Sequence, residues 1–528
     1  MTSNITERVN DFDAFRATIE ESVINGATND EIVASLGRQG LQTSTRSLKR
    51  QLQAWDIRRQ SRAPTDELAE AVNWLFHHTL LNDVAIAERI KTDYDLFTTA
   101  RQVKSIRLMF GWLRHREGAG KTAQAQATVS HVLTHLTGPG RAFGARWFVT
   151  YLRQLGIRVR RDDVAGALRQ LNPEAVILRC PLLRKPRLEN YTTSGPNFLW
   201  CLDGHDKISQ YGIEIYAAID AYSRKIIWYY CGNSNRTAVS ILSQYLRATR
   251  SLGLCPRFLR TDKGTETVLL ADCHFSFFVK AAYNDNWEEE EIQQVRLSDC
   301  YWYGPSTRNI RIEGLWRQQR QQTTGPWLRY FRTLTDLGLF RQDLIADRII
   351  FLFLFMPILR EELATFVSTH NAHPIRLQRS REKHVPGEPN ELYRGGEQNG
   401  FTADREVLAY WDSTITQFGK LTIKNFSILI ADWPDPDAYL TIETMQWCTQ
   451  TLASFGILER PRASAFLQQQ REIVPDWYAP FLIRCRTHVA AGNEPLLALA
   501  PAPDDGQGTA LAEVRRRLQL LQQLGYES

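Results

Sequence analysis

The sequence predicts an α/β protein, a mixed sheet with flanking helices, preceded by all-α helical units and followed by a mainly α C-terminal region. Three observations carry this prediction. Between residues 29 and 171, apolar residues recur at helical spacing in paired segments; from Asn197 the pattern changes to short apolar runs and alternation; after Gly395 helical spacing returns at 439–458 and 464–470. A chain of 528 residues is also longer than the roughly 250 to 300 residues at which one core stops growing. The expected divisions are 1–62, 63–120, 130–190, 191–395 and 396–528.

Taken in order, residues 29–59 read as a helix-turn-helix. Asn29 and Asp30 cap a helix carrying Ile32, Val33 and Leu36, Gly37 and Gly40 punctuate, and Ser44 opens a second helix with Arg46, Lys49 and Arg50 outward. The pattern recurs from Asn82, where Val84, Ile86, Ala87 and Ile90 form a first helix and 98–106 a second that bears Arg101 and Lys104. Long cations on a second helix are what phosphates and guanine edges require. One such unit reads equally as a plain helical hairpin; two in tandem, each with a basic second helix, point to duplex DNA.

The net charge is modest at +6, from 64 Lys and Arg against 58 Asp and Glu. Its distribution is more informative, because Arg141, Arg146, Arg153, Arg158, Arg160, Arg161, Arg169, Arg179, Arg184, Lys185 and Arg187 face only three acids in the same stretch, an excess suited to phosphate contact. The eight cysteines stand singly, with no Cys-x-x-Cys pair, which argues against a disulfide framework and a zinc finger. No basic region followed by an apolar run opens the sequence, and the most apolar stretch, 349–359, is too short to span a bilayer and reads as a buried helix. The expected setting is intracellular, nuclear in a eukaryote, without secretion or a membrane partner.

Residues 144–171 pair two helices around Gly156-Ile157-Arg158-Val159, a pattern similar to the helical module that precedes the catalytic domain in many insertion-sequence transposases. The proline-bearing stretch 181–196 reads as a linker. From there, 198–203 is an apolar run ending in Asp203, while Ile213, Ile215, Ala217 and Ile219 alternate as in a half-buried strand. Residues 220–224 make a turn and 225–230 a third strand. A helix over 237–252 turns Val239, Leu242, Tyr245 and Leu246 inward. A strand over 256–262 then ends in Asp262, Gly264 and Thr265 turn the chain, and Glu266 is expected to cap the next helix.

At this point the sequence resembles the integrase core family of retroviral integrases and related transposases. The hairpin turn Asp220-Ala221-Tyr222-Ser223-Arg224, the segment Arg260-Thr261-Asp262-Lys263-Gly264-Thr265-Glu266 and the helix Asn309-Ile310-Arg311-Ile312-Glu313-Gly314-Leu315-Trp316 carry the likeness, over about residues 140–395. The resemblance implies an RNase H-like fold and a catalytic trio of Asp203, Asp262 and Glu313, with Asn309 one turn before the glutamate. It also implies Mg²⁺ or Mn²⁺, since phosphodiester transfer uses two divalent ions, one to activate the attacking oxygen and one to stabilise the leaving oxygen, and hard oxygen ligands suit Mg²⁺. Lys263 and Arg317 are expected at the phosphates. Asp299 stands nearer the spacing of the retroviral members than Glu313 does, but it lacks both the Asn four residues earlier and the following helix. The run 284–291 reads as an exposed insertion.

After Glu313, Trp327, Tyr330, Phe331, Leu334 and Leu337 repeat at helical spacing and are expected to pack on the sheet rather than stack on bases. Residues 498–508 read as a linker to a last helix at 510–524. The function implied is a DNA integrase or transposase that cleaves DNA and transfers strands, acting on element ends and target duplex as a homo-oligomer. The competing readings are a domesticated, catalytically silent DNA-binding descendant and a nuclease of the same fold that cuts without joining.

Overall fold

The computed structural model describes residues 12–24, 27, 29–55, 57, 64–79, 81–112, 121–136, 138–173, 193–233, 237–262, 264–304, 309–376, 385–412, 437–468 and 471–500. The expected linker up to 192 and the expected last helix at 510–524 lie outside these. The chain forms two compact units, one of residues 1–76 with 80–112 and one of 77–79 with 113–528.

The first unit contains two sets of three helices. Helices α1 (Arg16–Ile24), α2 (Asn29–Arg38) and α3 (Thr45–Ala54) bury Ile19, Ile32, Leu36, Leu48 and Leu52 together. Ser44 caps α3 by accepting the Ser47 amide. Helices α4 (Asp66–His78), α5 (Asp83–Asp93) and α6 (Ala100–Met109) bury Val72, Phe76, Ile86, Ile90, Val103 and Ile106. Asn82 caps α5, and Thr99 with Gln102 forms a capping box on α6. Arg107, fully buried on α6, donates through Nε and Nη2 to the two oxygens of Asp83, each at 2.8 Å, and so clamps α6 to the start of α5. Each helix pair legible in the sequence is thus completed by a preceding helix.

In the second unit, α7 (Lys121–His135), α8 (Ala145–Gln154) and α9 (Arg161–Leu171) close around Val132, Leu136, Phe148, Leu152, Val164 and Leu168. Gly156, at φ 77°, makes the turn after α8 in a conformation that side chains rarely adopt. Arg141, counted in the basic run, does not face solvent. It is 4% exposed and forms a bidentate pair with Glu362, so it is a structural cation and not a phosphate contact.

The sheet follows from strands β1 (Leu199–Gly204), β2 (Glu214–Asp220), β3 (Ile226–Gly232), β5 (Phe258–Thr261) and β6 (Tyr301–Tyr303), with β4 (Leu254–Cys255) outside it. Their order is β3-β2-β1-β5-β6. The meander β1-β2-β3 is antiparallel, and β5 joins β1, and β6 joins β5, in parallel. This is the mixed sheet of the RNase H-like integrase fold. The crossover from β3 to β5 runs through α10 (Ala238–Leu252), capped by Thr237 as expected, and that from β5 to β6 through α11 (Val268–Asn284) and the short α12 (Glu289–Gln293). Thr267 precedes α11, and its side chain makes no cap hydrogen bond.

Side chains alternate across a strand. Trp200 and Leu202 therefore face α10 and α11, while Leu199 and Cys201 face α13 (Ile310–Gln319), α14 (Gly325–Asp336) and α15 (Ile345–Ala372). Covered on both faces and flanked by β1 and β3, all seven residues of β2 are buried, where alternation suggested a half-buried strand. Trp327, Tyr330, Phe331 and Leu334 pack inward as expected, but Leu337 is 59% exposed because α14 has ended at Asp336. Residues 349–359 lie buried within α15, and among the described residues no helix is long and apolar enough to cross a membrane.

Beyond residue 395 the chain returns to this core. Strand β7 (Phe401–Thr402) pairs with β4. Helix α16 (Ile442–Ser454) and helix α17 (Tyr478–Ala490) set Cys448, Leu452, Phe481 and Cys485 into the same cluster as α15. The expected helix at 464–470 is instead a hairpin of β8 (Leu467–Gln468) and β9 (Arg471–Glu472) after a single 3₁₀ turn.

Candidate active site

Two strands bring the first acids together. The parallel register pairs Leu199 with Phe258, Trp200 with Leu259 and Cys201 with Arg260. Asp203 follows two residues later on β1, and Asp262 stands just beyond the end of β5, so both acids lie at the same end of the sheet, close enough that the Asp262 charge acts on Asp203. Asp203 alternates in phase with Cys201 and so falls on the sheet face covered by α13.

Helix α13 brings the third. It packs on β1 and β2 through Ile312, Leu315 and Trp316, and Glu313, half-buried, follows in its first turn. Asn309, expected to line the groove, is 2% exposed and donates through Nδ2 to the Leu202 carbonyl at 2.9 Å. It therefore ties the start of the Glu313 helix to the strand that carries Asp203. Its Oδ1 has no hydrogen-bond partner among the described residues.

The Asp203 carboxylate is held from two sides. Oδ1 accepts the Gly204 amide at 2.9 Å and Oδ2 accepts the Trp316 indole N–H at 2.9 Å. Burial raises its pKa to about 7; the Trp316 bond opposes this, and the negative charges of Asp262 and Glu313 add to it. Asp262 is also raised, by burial first, with Asp206 as a further charge. Buried Tyr216, opposite Gly204 on β2, is pushed well above the ordinary phenol range by burial and then by Glu266, Asp203 and Asp262. The acidic neighbourhood thus extends to Asp206 and Glu266. A Cβ on Gly264 would lie 1.9 Å from a Glu266 oxygen, so the Glu266 carboxylate folds back over the turn after Asp262.

Carboxylates that raise one another's pKa are the hard donors a dication suits. Among the described residues, however, no three His, Cys, Asp or Glu side chains are grouped closely enough to hold an ion. The chemistry of the donors fits Mg²⁺ or Mn²⁺.

Residues 190–397 match the integrase core domain family. This part of the chain is similar to an integrase core domain. The match spans the whole sheet, the three acids and α13 to α15. Among solved structures the chain is similar to one in a cryo-EM structure of the simian T-cell lymphotropic virus intasome in complex with PP2A regulatory subunit B56 gamma. That likeness has 15% identity and a TM-score of 0.22 over 45% of this chain and 68% of that one, and it adds nothing to the family match. No curated protein matches the sequence.

Within the integrase core, Arg317 is exposed on α13 and Lys263 lies outside the described residues. The acidic insertion is solvated, with 283–291 exposed and Glu288 and Glu291 forming a capping box on α12. In the N-terminal unit Arg46, Lys49 and Arg50 are exposed on α3, and Arg101 and Lys104 on α6, with Leu48 and Val103 buried behind them. Sequence reading missed Trp316 and His205. The first stands one helical turn after Glu313, a spacing that places both on neighbouring positions of one helix; the second follows the end of β1 and stacks on Trp316.

Proposed function

We propose that the chain is a metal-dependent DNA strand transferase, cleaving DNA and joining its ends to a target duplex. The observation that supports this reading is the parallel pairing of β1 with β5, which carries Asp203 and Asp262 to the same end of the sheet, beside the helix that bears Glu313. Asp203, Asp262 and Glu313 would hold the ions. Bound there, divalent ions would supply activation of the attacking oxygen and stabilisation of the leaving one. The chain's own part is to fix the three carboxylates on one sheet face, exclude water behind them with the Trp316 side, and hold the duplex by exposed cations, Arg317 here and Arg46, Lys49, Arg50, Arg101 and Lys104 on the N-terminal helices. A homo-oligomer acting on two ends, located in the nucleus of a eukaryotic cell, completes the reading.

The test is a nicking and joining assay on duplexes carrying the element's ends, with Mg²⁺ or Mn²⁺. Asp203→Asn keeps the side chain's shape but loses the charge that holds a dication, so it is expected to abolish both reactions and leave DNA binding intact. The ungathered carboxylates favour one second reading, a catalytically silent DNA-binding descendant. That reading replaces the first if the unaltered protein binds its ends but neither cuts nor joins with either ion.

A further inference from the structure

Trp316 has no place in the catalytic trio, yet it is 5% exposed, sits in the core beneath the sheet and aims its only polar atom at Asp203. The indole N–H is a donor and nothing else, so this bond forms only to an acceptor oxygen. Its plane is fixed in turn by His205, whose ring stacks on it with centroids 5.1 Å apart and planes 29° from parallel, and by Tyr229, edge-on at 6.3 Å. His205 is itself held just after β1, its amide donating to the Ile215 carbonyl at 2.9 Å. The chain of contacts runs from β1 out to α13 and back to the residue that follows β1.

We propose, on the strand-transferase reading above, that Trp316, braced by His205, is a positioning residue that sets the Asp203 carboxylate for cation binding. With Gly204 N–H on Oδ1 and Trp316 Nε1–H on Oδ2, rotation about the carboxylate's own bond breaks one contact or the other. Each oxygen has a second lone pair, so both remain able to ligate while the side chain is held in one orientation. Outer partners of metal-binding carboxylates act in this way, and their loss typically costs about 10- to 100-fold in metal affinity. Trp316 also stands on the same helix as Glu313, so the bond couples the position of the third acid to that of the first.

The experiment measures Mn²⁺ binding to the full chain by titration calorimetry, beside thermal unfolding of each variant. Trp316→Phe keeps an aromatic ring against His205 and removes the donor together with part of the ring system, so the melting temperature of each variant is read beside its Mn²⁺ affinity. Mn²⁺ affinity is expected to fall about tenfold or more with a melting temperature close to that of the unaltered protein. If Trp316→Phe binds Mn²⁺ as tightly as the unaltered chain while Asp203→Asn does not, the positioning role is overturned and the metal site stands. If the unaltered chain binds no Mn²⁺, the metal site and the positioning role fall together. Should Trp316→Phe not fold, His205→Leu, which takes away the bracing ring and leaves the donor, decides the matter. Weakened Mn²⁺ binding in a folded His205→Leu chain supports the brace, and unchanged binding overturns it.

Discussion

Asp299 Oδ2 accepts the backbone N–H of Arg296 at 2.9 Å, closing a capping box on the 3₁₀ turn before β6. The acid nearer to Asp262 in sequence is therefore exposed and engaged in a turn, while Glu313 stands on the helix that touches Asp203. Glu313→Gln is expected to lower metal-dependent strand cleavage by more than about 100-fold, beyond what loss of an outer partner costs. Asp299→Asn, which still offers an acceptor oxygen to Arg296, is expected to cleave at the unaltered rate. Initial rates on one duplex check both, and the reverse order would transfer the third role to Asp299.

The exposed cations of α3 lead to a second prediction. Arg46, Lys49 and Arg50 project from a helix whose opposite side is buried through Leu48 and Leu52. Each phosphate contact releases counterions and contributes about 0.9 to the slope of log affinity against log salt. Replacing all three by Ala in the full chain is expected to reduce that slope by up to about 3 and to leave melting unchanged. Fluorescence anisotropy across a salt series reads the slope. An unchanged slope would make α3 a scaffold helix, and the same design on Arg101 and Lys104 asks the question of α6.

Arg141 supplies a third. Its guanidinium is buried against Glu362, Nη2 to Oε2 at 2.8 Å, and the same oxygen accepts the Trp327 N–H at 2.7 Å. Removing one member of a buried pair leaves a charge without its counterpart and costs about 3 to 5 kcal/mol. Arg141→Ala is expected to destabilise the second unit by that amount in urea unfolding. A loss under about 1 kcal/mol, the range of exposed pairs, would show that solvent reaches Glu362.

What could be read in advance followed the physics of each signal. Ser44, Asn82, Thr99 and Thr237 were legible as helix starts because capping is local, a side chain meeting an amide three residues on. The order Asp203, Asp262, Glu313 came from the resemblance to the integrase core family, carried by the motifs around Asp220, Asp262 and Glu313. The full burial of β2 was not, since it depends on layers contributed by α10 and α15, far off in sequence. Nor was the hairpin at 467–472, where Phe466 turns into the core beside Phe355 and Tyr330 and tertiary packing overrides local spacing. Trp316 read as one more core aromatic, which by burial it is; its bond to Asp203 spans more than a hundred residues and leaves no local trace.

The last prediction concerns acid. His370 is buried at the end of α15, with its Nε2 2.9 Å from the Arg224 carbonyl, so Nε2–H donates. Burial lowers its pKa to about 4, the Arg224 carbonyl bond opposes this, and the Arg224 charge adds to it. An unfolded histidine titrates near 6.5. Between these values the unfolded chain holds a proton that the folded chain lacks, so stability is complete above about pH 6.5 and is lost as pH falls toward about 4. One such group contributes about 1.4 kcal/mol per pH unit within that window. Other groups act over the same range, His373 and His274 in the same sense, lowered to about 4 and 3, and Asp203, raised to about 7, in the opposite one. A single substitution isolates the term. His370→Gln offers an amide donor and cannot titrate, so its unfolding free energy, measured in urea at pH 4.5 to 6, is expected to fall less steeply than that of the unaltered chain by about 1.4 kcal/mol per pH unit. Parallel lines for the two proteins would mean that His370 is already protonated in the folded state, and that its bond to Arg224 is made by an imidazolium.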